Sequence, residues 1–162
     1  MAKEKIPVTP ATRLLEKEGI PFSTHLYQYV EKGGTANAAR QLGFDEHQIV
    51  KTLIMEDDAK QPLVILMHGD RQVSTRELAR QLGVKGVHPC APETATKHTG
   101  YMLGGTSPFG TRHALPVCIE ETILGLPRIY INGGKRGFLL GLDPKDAARV
   151  LHATPVHVAI TG

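Results

Sequence analysis

The amino-acid sequence predicts a single α+β domain, spanning residues 1–162, in which helices flank a curled, barrel-like mixed β-sheet. Helix-like and strand-like segments mix without a regular βαβ repeat, and hairpins dominate the second half of the chain. The 162 residues suffice for a sizeable core, and 41% apolar with 22% charged residues is typical of a soluble globular protein. No internal repeat, linker or low-complexity segment divides the chain.

The first half of the chain begins with clear helix boundaries. Thr9 is a suitable N-cap for the first helix, and Gly19 and Gly43 follow the last turns of the first two helices. Runs of β-branched, aromatic and apolar residues predict the strands, two of which are joined by a polar stretch as in a hairpin. The predicted elements are a helix, a strand, a helix and a two-strand hairpin, at residues 10–18, 21–30, 35–42, 49–55 and 63–67.

The second half of the chain is marked by caps and turns. Ser74 can cap a helix that has Glu77 three residues later and Gly83 at its end. Pro144 takes the first position of the last helix, and the glycine pair at 133–134 turns the chain between two strands. The predicted elements are a helix, a strand, a helix, three strands, a helix and a strand, at residues 74–82, 84–87, 92–98, 117–119, 128–132, 138–142, 144–151 and 156–160.

Charge and composition limit the classes of function. The net charge of +3, from 19 basic and 16 acidic residues, permits a nucleic-acid partner but is weaker than in proteins that wrap long duplexes. The absence of Trp and the few aromatic residues argue against a sheet of base-stacking platforms. We expect a cytoplasmic protein with no membrane partner, because no apolar run has the length of a signal-peptide core or a bilayer span.

Cysteine and histidine positions predict neither a metal site nor a cofactor. Cys90 and Cys118 lie in different predicted elements and match no ligand spacing, so we expect free thiols. The eight histidines are scattered and form no HxxxH pair. Cys118 lies near His113 in the sequence, but nothing orients the two as nucleophile and base, and a GxSxG motif is missing.

Three features indicate a ligand site. The segment GGTSPFG at 104–110 cannot be a regular helix or central strand, and its glycines allow the backbone to approach a ligand closely. Lys51 is a charge within the apolar run 49–55, and NGGKRG at 132–137 is a second glycine turn that carries two cations. A strand lysine with two glycine loops predicts a site for a ligand that carries a phosphate or a carbonyl.

Plainer interpretations of these residues stay open at this point. Lys51 can be an edge-strand lysine that extends to water, and the loop at 104–110 can be a wide turn between elements. The turn at 132–137 can be a hairpin whose basic tip is solvated. His25 and Tyr27 lie two apart in a predicted strand, so they either position a substrate together or form a satisfied core pair.

Four motifs follow one another in a recognisable order. They are the opening segment 9–27, KTL at 51–53 after an apolar pair, TGY at 99–101 leading into GGTSP at 104–108, and NGGKRG at 132–137. Together they resemble the YbaK/EbsC family of aminoacyl-tRNA deacylases, and the resemblance covers about residues 9–159. It implies a curled mixed sheet with flanking helices, shared with the editing domain that is inserted in bacterial prolyl-tRNA synthetases.

The resemblance also implies an activity and a set of site residues. The expected activity is hydrolysis of mischarged tRNA, and GGxSPxG with GGKRG looks most like the branch that clears Cys-tRNA(Pro). Lys51 matches the functional lysine of the family and is the expected catalytic residue. The expected partners are the 3′ aminoacyl-adenosine end of mischarged tRNA and prolyl-tRNA synthetase. The expected substrate-binding residues are Tyr27, Thr52, Gly104, Gly105, Thr106, Ser107, Pro108, Gly133, Gly134, Lys135 and Arg136.

The chemistry implied by the resemblance needs no protein nucleophile. The cysteine thiol of the substrate attacks its own ester carbonyl, with hydrolysis or a lyase-type release of the product, while Lys51 and the backbone at 104–107 hold the ester. Alternative functions are the editing of another small amino acid such as alanine, and a non-catalytic tRNA- or synthetase-binding module. Two departures concern the pocket: residues 138–140 are apolar where some relatives carry an acid, and an aromatic residue near 33–34 is missing.

Overall fold

The computed structural model describes residues 5–161, so the predicted domain of 1–162 extends beyond the described residues at both ends. The α-helices are α1 Pro10–Lys17, α2 Gly34–Leu42, α3 Thr75–Leu82, α4 Pro92–Thr99 and α5 Pro144–Leu151. Short 3₁₀ helices span Glu46–Gln48 and Glu121–Gly125. The strands are β1 Ser23–Leu26, β2 Ile49–Asp57, β3 Pro62–His68, β4 Gln72–Val73, β5 Val87–Pro89, β6 Val117–Glu120, β7 Ile129–Asn132, β8 Phe138–Leu142, β9 Thr154–Val156 and β10 Ala159–Ile160.

The main sheet has eight strands and mixes both directions of pairing. Its order is β1-β8-β7-β2-β3-β6-β9, and β5 pairs with β2 beside this path. β2 with β7, β3 with β6 and β6 with β9 pair in parallel, and the other pairs are antiparallel. The predicted α+β class with a mixed sheet is confirmed. The sheet does not close into a barrel, because β1 and β9 remain its terminal strands.

Three predicted strands differ from the structure. The strand predicted at 21–30 is only Ser23–Leu26, because the backbone of Gln28 pairs with the side chain of Gln41 instead of a strand. The strand predicted at 84–87 begins only at Val87. The terminal strand predicted at 156–160 divides into β9 and β10, the second of which pairs with the short β4 that the sequence pattern does not predict.

The core lies on both faces of the central strands. In β3, Val64 and Leu66 face one apolar cluster, and Ile65 and Met67 face the other, which α3 covers. Burial on both faces explains why β3 is apolar at nearly every position instead of alternating. Within residues 5–161, no helix combines the length and the apolar content that crossing a bilayer requires.

A buried carboxylate holds the C-terminal segment against the sheet. Glu120, at the end of β6, is fully buried and accepts hydrogen bonds from the backbone N–H groups of Val158 at 2.8 Å and Ala159 at 2.9 Å. It also accepts from the N–H of Thr122 at 3.0 Å and from its hydroxyl at 2.9 Å. Burial alone raises the pKa of Glu120, but these donors outweigh burial and hold the pKa below its ordinary value of 4.5.

We expect Glu120→Gln to destabilise the fold, because an amide nitrogen then faces backbone donors that the carboxylate accepts. The expected loss in the free energy of unfolding is about 1–3 kcal/mol at neutral pH. A lowered folded-state pKa contributes stability that is fully present above pH 4.5 and is lost as pH falls through the folded value. Urea denaturation should therefore show the gap between wild type and Glu120→Gln shrinking below pH 4.5.

The matched control is Glu121→Gln, since the Glu121 side chain is 53% exposed. We expect it to change the unfolding free energy by less than about 0.5 kcal/mol. Equal effects of the two substitutions at neutral pH would show that the buried network contributes nothing particular to stability.

Candidate active site

The strand β2 has a gap along one of its edges. Its pairing with β7 ends at Val50↔Ile131, and its pairing with β5 begins only at Met55↔Pro89. The carbonyl oxygen of Ile54 accepts a hydrogen bond from the N–H of Cys90, at 3.0 Å. Residues 51–53 therefore have no neighbouring strand on this edge, although they pair with β3 on the other. Such a stretch leaves backbone donors and acceptors for a ligand.

A cavity of about 560 Å³ lies at this gap. Ile49 and Leu139 belong to a small apolar cluster that packs against α2 and forms part of its lining. Its volume is in the range of cavities that hold a small organic ligand. The remaining lining residues are Tyr27, Tyr29, Val30, Glu31, Lys32, Gly34, Thr35, Asn37, Ala38, Val50, Lys51, Thr52, Leu103, Gly104, Thr106, Asn132 and Arg136.

Lys51 is half-buried at the gap and is held by a turn of the chain. Its Nζ donates a hydrogen bond to the carbonyl oxygen of Arg71, at 2.5 Å, which leaves its other ammonium N–H groups for a ligand. Burial lowers the pKa of Lys51, and the charges of Glu46 and Asp70 oppose that shift. β2 is an interior strand of the sheet, but Lys51 lies in the stretch that lacks a neighbour on one edge.

Asn132 ties the two glycine loops together. Its side-chain oxygen accepts hydrogen bonds from the N–H groups of Gly134 at 2.7 Å and Lys135 at 3.2 Å, which turns the chain directly after β7. Its side-chain nitrogen donates to the carbonyl oxygen of Gly104, at 3.2 Å. A single side chain therefore holds the loop at 104–110 against the turn at 133–137, beside the cavity.

Two glycines of the first loop lie where a side chain does not fit. Gly104 has a φ of +83°, and a Cβ there would lie 2.8 Å from the hydroxyl oxygen of Tyr29. A Cβ on Gly105 would lie 2.9 Å from the backbone nitrogen of Arg136. Arg136 in turn donates from Nε to the carbonyl oxygen of Leu103, at 2.8 Å, and its guanidinium lies 4.9 Å from the Tyr29 ring centroid.

The structure separates the predicted site residues into two groups. Those that line the cavity are Tyr27, Lys51, Thr52, Gly104, Thr106 and Arg136. Those that do not line it are Gly105, Ser107, Pro108, Gly133, Gly134 and Lys135. The second group builds the loops: the buried Ser107 hydroxyl accepts from the N–H of Phe109, and the carbonyl of Gly133 accepts from the hydroxyl of Thr9 at 2.5 Å.

Several lining residues were not among those predicted from the sequence. Tyr29 and Asn132 had local signals, since Tyr29 follows Tyr27 by two positions and Asn132 precedes a glycine pair. Asn37 of α2 had none, because only the packing of α2 places it at the cavity. Thr52 has the one buried side-chain oxygen in the described chain without a hydrogen-bond partner.

Comparisons with known proteins show the family to which the chain belongs. The model of the family described as "Aminoacyl-tRNA editing domain" matches residues 31–150. The chain belongs to this family. A protein of Enterococcus faecalis is named "Putative Cys-tRNA(Pro)/Cys-tRNA(Cys) deacylase EbsC". It is 29% identical to this chain over 147 residues, which are 90% of each of the two chains. The proline–tRNA ligase of Ligilactobacillus salivarius is 30% identical over 115 residues, which are 67% of this chain and 20% of the ligase.

Solved structures share the fold of this chain. One, described as "a putative trans-editing enzyme for prolyl tRNA synthetase", has a TM-score of 0.80 at 24% identity, covering 95% of this chain and 99% of its own. Another, described as hypothetical protein APE2540, has a TM-score of 0.85 at 22% identity, covering 94% of this chain and 100% of its own. At these identities the likeness concerns the fold alone.

His25 and the two cysteines do not line the cavity. His25 contacts the hydroxyl of Ser23 at 2.7 Å and packs edge-on against Phe44 and Tyr130. Tyr27, which does line the cavity, lies beyond the end of β1. Both cysteines are free, as predicted. Burial, with the nearby Glu56, raises the pKa of the Cys90 thiol to about 11, and burial raises that of the Cys118 thiol. Neither thiol lines the cavity.

A cluster of His47, His68 and Asp70 brings candidate metal-ligand atoms within 4.8 Å of one another. The two imidazole rings are stacked 3.8 Å apart and 7° from parallel, so their in-plane lone pairs cannot converge on one ion. His68 Nδ1 donates to the carbonyl of His47 at 2.8 Å, and its Nε2 contacts the Thr122 hydroxyl at 2.7 Å. These contacts make the cluster a support for the turn that holds Lys51.

We expect Gly104→Val to destabilise the protein by about 1–3 kcal/mol, because valine opposes a positive φ and its Cβ meets Tyr29. Urea denaturation measures this loss. The matched control is Gly125→Val, since a Cβ at Gly125 meets nothing within 4 Å and Gly125 has no positive φ. We expect the control to cost less than about 1 kcal/mol. Equal losses in the two variants would contradict the close approach at Gly104.

Proposed function

We propose that this protein deacylates mischarged tRNA in trans, with Cys-tRNA(Pro) as its preferred substrate. The observation that carries the proposal is a half-buried Lys51 with free N–H groups at a gap in the sheet. Two glycine loops that a hydrogen bond from Asn132 joins lie at the same cavity. Membership of the editing-domain family supports the reaction class, and the name of the Enterococcus faecalis relative supports the choice of amino acid. The alignment with this relative covers 90% of both chains.

The cavity suits the end of an aminoacyl-tRNA. Its apolar lining from Ile49 and Leu139 lies next to the polar groups of Asn132 and Lys51, so one ligand can meet both kinds of surface. In the proposed complex the ester carbonyl lies beside the ammonium of Lys51. This charge stabilises the negative oxygen that forms as the carbonyl is attacked. The unpaired backbone of residues 51–53 and the loop at 104–106 hold the terminal adenosine and the amino acid.

The substrate supplies the nucleophile in this proposal. Among the described residues that line the cavity there is no cysteine, histidine or serine. The cysteine thiolate of the substrate bonds to its own ester carbon, and the bond from that carbon to the ribose oxygen breaks. The proton lost by the thiol ends on the departing ribose oxygen, and the resulting thiolactone is opened by water to cysteine. Holding the thiol beside the carbonyl supplies much of the rate.

An editing site of this kind compensates for the poor selectivity of a synthetase between amino acids of similar size. A synthetase pocket discriminates poorly between amino acids that differ little in size, with factors of only about 10–200 for one methylene group. A second site that removes the wrong product raises accuracy. We therefore propose prolyl-tRNA synthetase as the partner that supplies the substrate. A panel of mischarged tRNAs tests the function directly, since a non-catalytic binding module would release no amino acid from any of them.

We expect Lys51→Ala to lower the rate of Cys-tRNA(Pro) deacylation by about 10²–10³, the usual effect of removing one stabilising donor. The melting temperature should stay within a few degrees, because the substitution also removes the cost of a half-buried charge. Single-turnover deacylation and thermal denaturation measure the two effects. Lys85→Ala, at an exposed lysine, is the charge-matched control and should keep the wild-type rate. Full activity in Lys51→Ala would remove this residue from the mechanism.

We expect Cys-tRNA(Pro) to be cleaved at least about 10²-fold faster than Ser-tRNA(Pro), because a thiol ionises far more readily than a hydroxyl and is more nucleophilic. The two amino acids differ by one atom, so a pocket that selects by size treats them nearly alike. Deacylation rates on the two substrates under identical conditions provide the test. Similar rates would assign the attack to water or a tRNA hydroxyl, and alanine-type editing would then become the better proposal.

A further inference from the structure

A second, more open groove of about 700 Å³ lies next to the active-site cavity. Tyr27 and Arg136 line both, so the two depressions share a rim. The other residues that line the groove are Lys5, Pro7, Leu26, Gln28, Gln41, Lys135 and Gly137. A polymer whose end occupies the cavity can therefore continue over this rim into the groove.

The groove carries an unbalanced positive charge. Its charged lining residues are Lys5, Lys135 and Arg136, and no carboxylate is among the described residues that line it. Within residues 5–161, none of these three cations forms an ion pair. The whole chain carries a net charge of only +3, so three unpaired cations in one groove are a local concentration. Unpaired cations that line a groove attract a polyanion.

The rim between the two depressions is held in a fixed conformation. Arg136 donates from Nε to the carbonyl oxygen of Leu103 and stacks over Tyr29, which leaves its terminal guanidinium nitrogens for a ligand. The N–H of Tyr27 donates to the carbonyl oxygen of Gly137, at 2.9 Å, so its backbone is fixed beside the second glycine turn. An aromatic side chain such as that of Tyr27 can stack a base, and a guanidinium such as that of Arg136 can bind the adjoining phosphate.

Hydrogen bonds also hold the side chain of Gln41 in the wall of the groove. The side chain of Gln41 accepts from the N–H of Gln28 at 2.9 Å and donates to its carbonyl oxygen at 2.8 Å. Gln41 also donates to the side-chain oxygen of Asn37, at 2.9 Å, and Asn37 lines the active-site cavity. One hydrogen-bonded network therefore connects the wall of the groove to the wall of the cavity.

We propose that this groove binds the phosphates of the single-stranded nucleotides that precede the terminal adenosine of the tRNA. The proposal rests on the proposed function, since it takes the aminoacyl-adenosine to occupy the cavity. The groove then gives the enzyme affinity for the polynucleotide that is separate from its contacts with the ester. Lys5 and Lys135 are phosphate-binding residues in this arrangement, and Arg136 holds the phosphate nearest the cavity.

The first test measures RNA binding without turnover. The probe is a fluorescein-labelled, uncharged RNA hairpin with the acceptor stem and single-stranded 3′ end of tRNA(Pro). We expect the double variant Lys5→Ala/Lys135→Ala to bind it about tenfold more weakly than wild type in anisotropy titrations at 0.1 M salt. The slope of log affinity against log salt should become shallower by about 0.7 for each phosphate that the variant no longer neutralises. Lys145→Ala, at an exposed lysine of α5, is the control and should bind like wild type.

The second test separates the groove from the ester site by kinetics. Wild type and the double variant are compared on Cys-tRNA(Pro) and on the minimal ester 3′-O-cysteinyl-adenosine, which has no upstream phosphate. We expect the double variant to lose about tenfold more kcat/KM on the tRNA than on the minimal ester. This difference should appear as a higher KM for the tRNA. Wild-type RNA affinity in the double variant, or equal losses on both substrates, would overturn the groove proposal. An RNA-binding wild type that cleaves neither ester would instead overturn the proposed function.

Discussion

The active-site region depends on where the ladder between β2 and β7 stops. The side chain of Asn132 accepts two backbone N–H groups of the turn that follows β7, and the pairing of β7 with β2 ends at Val50↔Ile131. β2 continues without a neighbour on that edge until β5 joins it. This gap opens the cavity and places Lys51 at its wall. The same asparagine holds the glycine loop against the turn through Gly104.

The half-buried charge of Lys51 destabilises the fold, and groups around it offset this cost. A half-buried ammonium is unfavourable unless it is solvated by the protein, and Lys51 has the Arg71 carbonyl as its partner and the charges of Glu46 and Asp70 nearby. The turn that carries Arg71 follows His68. The His68 ring is held by a hydrogen bond to the carbonyl oxygen of His47 and by stacking on the His47 ring. The hydrogen bonds of Asn132 and Arg136 hold the loops through groups of the chain itself, and electrostatic stabilisation of a transition state requires such fixed groups.

The local parts of the fold could be predicted from the sequence, but the long-range contacts could not. Helix ends followed from capping residues such as Ser74, and the hairpin of β2 and β3 followed from apolar runs around a polar turn. Lys51 stood out because it is a charge in an apolar run. The gap itself had no signal, since the register of β2 with β7 is set by packing. Asn37 reaches the cavity only because α2 packs beside β2, which no local pattern specifies.

The central claim is that the cavity at the gap binds an aminoacyl-adenosine with its carbonyl beside Lys51. A crystal structure with a non-hydrolysable analogue, 3′-cysteinylamido-3′-deoxyadenosine, tests it most directly. We expect the analogue in the cavity, with its carbonyl oxygen within hydrogen-bond distance of the Lys51 ammonium and its adenosine against the loop at 104–106. An analogue bound elsewhere, or bound in the cavity with its carbonyl turned away from Lys51, would contradict the account.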